Sequence, residues 1–106
     1  MEGSPSQAYT KRADLPTEEL FGPGHRLCAG CGPAIAMRMM TKAFRGPTIV
    51  VNATGCVEVS STPYPYTSWG VPWLHVLFEN TAASASGIVE ALNKLVEEGR
   101  AKKADV

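Results

Sequence analysis

Thr48-Ile49-Val50-Val51-Asn52-Ala53-Thr54-Gly55-Cys56 is the stretch from which the fold can be read. Residues 48–54 form a β-branched, nearly continuous apolar run, and Gly55-Cys56 closes it. A short apolar run bounded by turn residues suits a strand buried on both faces, as in a parallel sheet. A second candidate strand, residues 73–80, follows a loop over 60–72 rich in Pro, Ser, Thr and aromatic rings.

Helical patterns flank both runs. Pro33 opens the first, with Ile35, Met39 and Ala43 on one face and Ala36, Met40 and Phe44 beside them. Met37, Met39 and Met40 read as core packing rather than as a metal site. Gly46-Pro47 ends this helix. The second helix begins at Thr81, carries the stripe Ile88, Val89, Leu92, Leu95 and Val96, and stops at Gly99. The small residues of 82–87 permit close packing, and the Lys102-Lys103 tail reads as solvated. The order loop, helix, strand, long loop, strand, helix predicts a layered α/β fold with a parallel sheet. Two strands do not make a stable parallel sheet, so the chain reads as part of a larger domain. Residues 1–21, polar and without periodicity, read as an N-terminal arm, with Leu20 and Phe21 able to dock; 22–106 read as the partial domain.

Bulk properties exclude several functions. The 106 residues carry ten basic and ten acidic side chains, so the cationic surplus that binds nucleic acid is missing. The same balance gives no pull toward an acidic membrane surface. No apolar stretch approaches the roughly twenty residues that span a bilayer. The polar opening residues predict no secretory leader, and the expected compartment is the cytoplasm. Three cysteines, an odd number, argue against a secreted disulfide scaffold.

The chemistry lies in those cysteines. Cys28 and Cys31 form a C-x-x-C in a loop of glycine and proline, which lets two thiolates hold one centre from a tight turn. Gly30 and Gly32 allow backbone N–H groups to approach the sulfurs. Cys31 directly precedes a helix, where the dipole favours an anion. Cys56 comes after twenty-four intervening residues, at a strand's end. Strand C-termini and helix N-termini meet at the ligand-binding edge of an α/β sheet, so three thiols could converge there. The alternatives are buried structural cysteines, a thioredoxin-like pair and zinc with His25 or His75 as a further ligand. A thioredoxin-like pair would open a helix after a strand, and here a loop precedes it. Spacing alone leaves iron–sulfur and zinc level.

Gly24-His25-Arg26-Leu27-Cys28-Ala29-Gly30-Cys31-Gly32, Asn52-Ala53-Thr54-Gly55-Cys56, and Pro72-Trp73-Leu74-His75 with Phe78-Glu79-Asn80, in that order, resemble one family. It is the beta subunit of the 2-oxoacid:ferredoxin oxidoreductases, of which the pyruvate enzyme is the best known. The match runs from about Gly22 to Leu95.

The resemblance implies a thiamine-diphosphate-binding fold and oxidative decarboxylation of a 2-oxoacid, pyruvate before others. Electrons would pass through [4Fe–4S] clusters to ferredoxin, and the acyl group to coenzyme A. Cys28, Cys31 and Cys56 would be three cluster ligands. Gly55 and Cys56 would lie against thiamine diphosphate, Phe78 beside its thiazolium ring, and Asn80 in the same pocket. No side chain here need be a nucleophile, because the cofactor carries the carbanion chemistry. Partners would be the alpha, gamma and delta subunits. The family's fourth cluster cysteine and its Gly-Asp-Gly…Asn segment, which binds Mg²⁺, are missing. The isolated chain is therefore expected to be inactive and to hold a cluster poorly. The loop Thr62-Pro63-Tyr64-Pro65-Tyr66 resembles pyruvate and branched-chain members alike.

Other residues have plainer readings. His25 reads as a loop-fixing polar group, and Glu58 and Glu79 as non-catalytic. Trp69, Trp73, Tyr64 and Tyr66 either cover the chain's own core or form a subunit interface.

Overall fold

The computed structural model describes residues 11–106. Of the expected arm, residues 1–10 lie outside the described residues. After a single 3₁₀ turn at Arg12–Asp14, the elements are α1 (Gly32–Lys42), β1 (Val50–Ala53), α2 (Cys56–Ser61), β2 (Trp73–Val76) and α3 (Thr81–Glu97). The fold is α/β, as expected. β1 and β2 pair in parallel, with Val50 opposite Trp73 and Ala53 opposite Val76. The Val50 and Thr54 N–H groups extend the ladder to the Pro72 and Val76 carbonyls at 2.9 and 3.0 Å.

α3 packs against β1, turning Ile88, Leu92, Leu95 and Val96 to its less exposed side. Its end is a Schellman turn: Gly99 N–H bonds to Val96 O at 3.0 Å and Arg100 N–H to Leu95 O at 2.9 Å. Gly99 has φ +70°, the left-handed backbone that glycine adopts at least cost. The tail returns to the sheet, where Ile49 N–H donates to Asp105 O at 2.8 Å.

Four expectations need correction. The Gly55-Cys56 turn leads into a helix, α2, which takes in Ser60 and Ser61, where the loop was expected to begin. β2 ends at Val76 rather than at residue 80, because a turn leads directly into α3. β1 is only partly buried, since a two-stranded sheet with one helix layer covers a single face. Finally, the apolar stripe of α1 faces outward: Ile35 is 56% exposed, Met39 51% and Met40 42%.

The last correction has an electrostatic cause. α1 turns its polar side to the arm, where Lys42 Nζ donates to Pro16 O, Glu18 O and Glu19 Oε1 at 2.9, 2.8 and 2.8 Å. Arg38 grips Glu19 with both ends of its guanidinium, at 3.0 and 2.6 Å. Lys42 is 8% exposed, and a buried ammonium must keep such acceptors. Core burial falls instead on Phe21, Trp69, Ala34 and Ser61. Leu20 and Phe21 dock through an antiparallel bridge between Phe21 and Trp69. Of the aromatic loop, Trp69 covers the core, whereas Tyr64 and Tyr66 are exposed.

Candidate functional site at the strand ends

Cys31 is the N-cap of α1, and Pro33 lies in that helix's first turn. Gly30, at φ +77°, supplies the left-handed residue that turns the chain between the two cysteines. Cys31 N–H donates to Cys28 O at 3.0 Å, which closes the turn. Cys56 is the first residue of α2, with Thr54 and Gly55 between it and the end of β1. A backbone hydrogen bond joins the two cysteine segments: Arg26 N–H donates to Ser60 O at 2.8 Å, on the helix that Cys56 opens. All three thiols are free; Cys28 and Cys56 are exposed and Cys31 is half-buried.

Among the described residues, no three His, Cys, Asp or Glu side chains are gathered into a group that could hold a metal ion. The structure therefore ties the cysteine segments together without gathering the sulfurs around a common centre. The donors still suit iron: free, accessible, soft thiols on two linked segments. They suit a zinc site with histidine less well, because both histidines are engaged. His25 stacks on Phe21 with ring centres 5.2 Å apart, and its Nδ1 accepts from Leu27 N–H at 3.3 Å. It fixes the loop.

His75 joins a polar chain at the carboxyl ends of the strands. Its Nε2 lies 2.6 Å from Thr54 Oγ1, and its Nδ1 lies 3.6 Å from Glu58 Oε1. Thr54 Oγ1 also donates to Val76 O at 3.2 Å. Thr54 Oγ1 and His75 Nε2 share a hydrogen bond whose direction follows the His75 tautomer. Glu58 is held in turn by the Thr62 hydroxyl, 3.4 Å from Oε1. Sequence reasoning missed Thr54; its position two residues before Cys56, at a strand end, was the available signal.

Phe78 is 73% exposed in the turn between β2 and α3. Asn80 caps α3 without a side-chain capping bond. Among the described residues, Asn80 Oδ1 and Thr81 Oγ1 are buried without hydrogen-bond partners, as is Trp73 Nε1. Buried polar atoms left unpaired are costly and uncommon. Asn80 and Thr81 follow the exposed Phe78 in sequence, at the carboxyl end of β2. Gly55, extended at φ 171°, is sequence-adjacent to Cys56.

Fold and site together define an α/β chain that carries reactive groups at the carboxyl edge of parallel strands. No family model matches the chain. It is 59% identical to pyruvate synthase subunit PorB of Methanocaldococcus jannaschii over 86% of its own length and 30% of that protein's. Against PorB of Pyrococcus furiosus the identity is 45%, over 85% of this chain and 30% of the relative. Ketoisovalerate oxidoreductase subunit VorB of Pyrococcus abyssi is 39% identical over 80% of this chain and 27% of that protein. The chain belongs to this family of 2-oxoacid oxidoreductase beta subunits, the family its motifs resemble. It spans about 30% of the length of these curated relatives. No helix among the described residues is long and apolar enough to cross a membrane.

Proposed function

We propose that the chain is the cluster-bearing part of an oxidoreductase that converts a 2-oxoacid, pyruvate in the first instance, to acyl-CoA and reduces ferredoxin. The observation that carries this reading is the backbone link from Arg26 to Ser60, which holds the Cys28–Cys31 turn against the helix that Cys56 opens. Cys28, Cys31 and Cys56 would hold a [4Fe–4S] cluster, with a fourth ligand from outside the chain. Thiamine diphosphate, when bound, supplies the electron sink for decarboxylation. Phe78 offers an exposed ring face for its thiazolium, Asn80 an unpaired oxygen, and Gly55 a backbone without a side chain. Mg²⁺ would take its ligands elsewhere.

Substrate preference is supported by the relatives, since identity to pyruvate synthase subunits exceeds that to the ketoisovalerate subunit. The alpha, gamma and delta subunits would be partners. Exposed Ile35, Met39, Tyr64 and Leu77 give them apolar surface. A reducing cytoplasm suits three free thiols. The isolated chain would be inactive.

Anaerobic purification followed by iron, sulfide and zinc analysis tests this reading. Brown protein with iron and acid-labile sulfide in equal amounts supports it. Colourless protein holding zinc, which is d¹⁰, would replace it with a non-catalytic zinc module.

A further inference from the structure

We propose that Phe21, Trp69 and Ser61 form a latch that positions the Cys28–Cys31 turn relative to Cys56; the proposal rests on the reading that these thiols share one cluster. The latch can be followed atom by atom. The His25 ring, three residues before Cys28, stacks on Phe21 at 5.2 Å with planes 13° apart. Phe21 meets Trp69 edge-on at 4.9 Å. Trp69 Nε1–H donates to Ser61 Oγ at 2.9 Å. Ser61 ends the six-residue helix that Cys56 begins. One continuous path of contacts thus joins the two cysteine segments through side chains, beside the backbone link at Arg26.

Its burial sets it apart. Ser61 is 0% exposed, Phe21 3% and Trp69 6%, while the Cys28 and Cys56 side chains it supports are exposed. The backbone is locked around the rings by Gly22 N–H to Ser68 O at 2.8 Å and Gly70 N–H to Leu20 O at 2.7 Å. The two segments close to ordinary van der Waals distance here, with Leu20 O 3.4 Å from the position of an ideal Cβ on residue 70. Exposed ligands need such a rigid support, since a site loosened by about 1 Å fails to hold its geometry. Without the Ser61 oxygen, the Arg26–Ser60 and Ser68–Ser61 backbone bonds would still keep the segments attached. Their aim, however, would no longer be fixed.

The test uses the full chain, with nitroxide labels on Cys28 and Cys56 in a Cys31→Ser background and electron dipolar spectroscopy as the readout. The labelled chain is expected to give one narrow distance peak. Ser61→Ala and Trp69→Phe, which keeps a ring against Phe21 but removes the N–H, are each expected to lose that single peak. Thr48→Val is the control: it deletes a buried hydroxyl bonded to Gly46 O at 2.9 Å, which is no part of the path from His25 to Ser61. It should lower the melting temperature yet keep the narrow peak. If Ser61→Ala and Trp69→Phe keep it too, or Thr48→Val loses it equally, the latch is overturned. Failure of the unlabelled chain to take up iron and sulfide, with the label results as expected, would sink the cluster reading and leave the latch standing.

Discussion

Phe21→Ala should strongly destabilise this chain, although Phe21 belongs to the stretch that reads as an arm. The side chain is 3% exposed, stacked on His25 and edge-on to Trp69. Removing a buried phenylalanine ring costs about 3–5 kcal/mol through lost transfer energy and the hole left behind. In a domain of this size each kcal/mol moves the melting temperature by about 4–8 °C. The expected fall is thus at least about 12 °C. Ile35→Ala is the comparison, because helical periodicity places Ile35 on the core face of α1. It is 56% exposed, and substitutions at such sites stay within about 0.5 kcal/mol. Urea and thermal unfolding, followed by circular dichroism, measure both. The reasoning fails if Phe21→Ala stays within about 1 kcal/mol of the unmodified chain, well under the cost of an emptied ring site. It also fails if Ile35→Ala costs as much.

The Arg38 hydrogen bonds, and after them that of Lys42, lower the Glu19 carboxyl from 4.5 to about 2. A depressed folded-state value means that stability is fully present above pH 4.5 and drains away as pH falls toward about 2. Glu19→Gln should flatten the urea midpoint across that window, and an unchanged profile would remove Glu19 as the cause. Timed alkylation with mass mapping should modify Cys28 and Cys56 before half-buried Cys31; Cys31 reacting first would contradict the placement. Thr54→Val should shift the His75 Nε2 resonance in nitrogen NMR, because it removes the hydroxyl 2.6 Å from that nitrogen. An unmoved resonance would break the Thr54–His75 pairing.

The strands and the long helices were legible because their signals are local. Residues 48–54 are β-branched, the stripe from Ile88 to Val96 has helical spacing, and Gly99 marks a stop that the Schellman turn uses. Cys31 before α1 and Cys56 after β1 follow from those elements. α2 was not legible. Its residues Val57, Val59 and Ser60 are poor helix formers, and its end is fixed by Trp69, eight residues beyond Ser61. The outward stripe of α1 was equally hidden, since it depends on where Lys42 finds its acceptors twenty-three to twenty-six residues away. At the site, cysteine spacing announced the thiols, and position alone hinted at Thr54. The pairing of Thr54 with His75 depends on strand register, which no single segment encodes.

The most direct test of the account is Cys56→Ser under anaerobic reconstitution with iron, sulfide and excess small thiol standing in for the fourth ligand. The unmodified chain is expected to develop visible cluster absorption, weakly held, and Cys28→Ser, Cys31→Ser and Cys56→Ser are each expected to abolish it. Cluster formation undiminished in Cys56→Ser would mean that the strand-end thiol takes no part, and that the three cysteines do not share one centre.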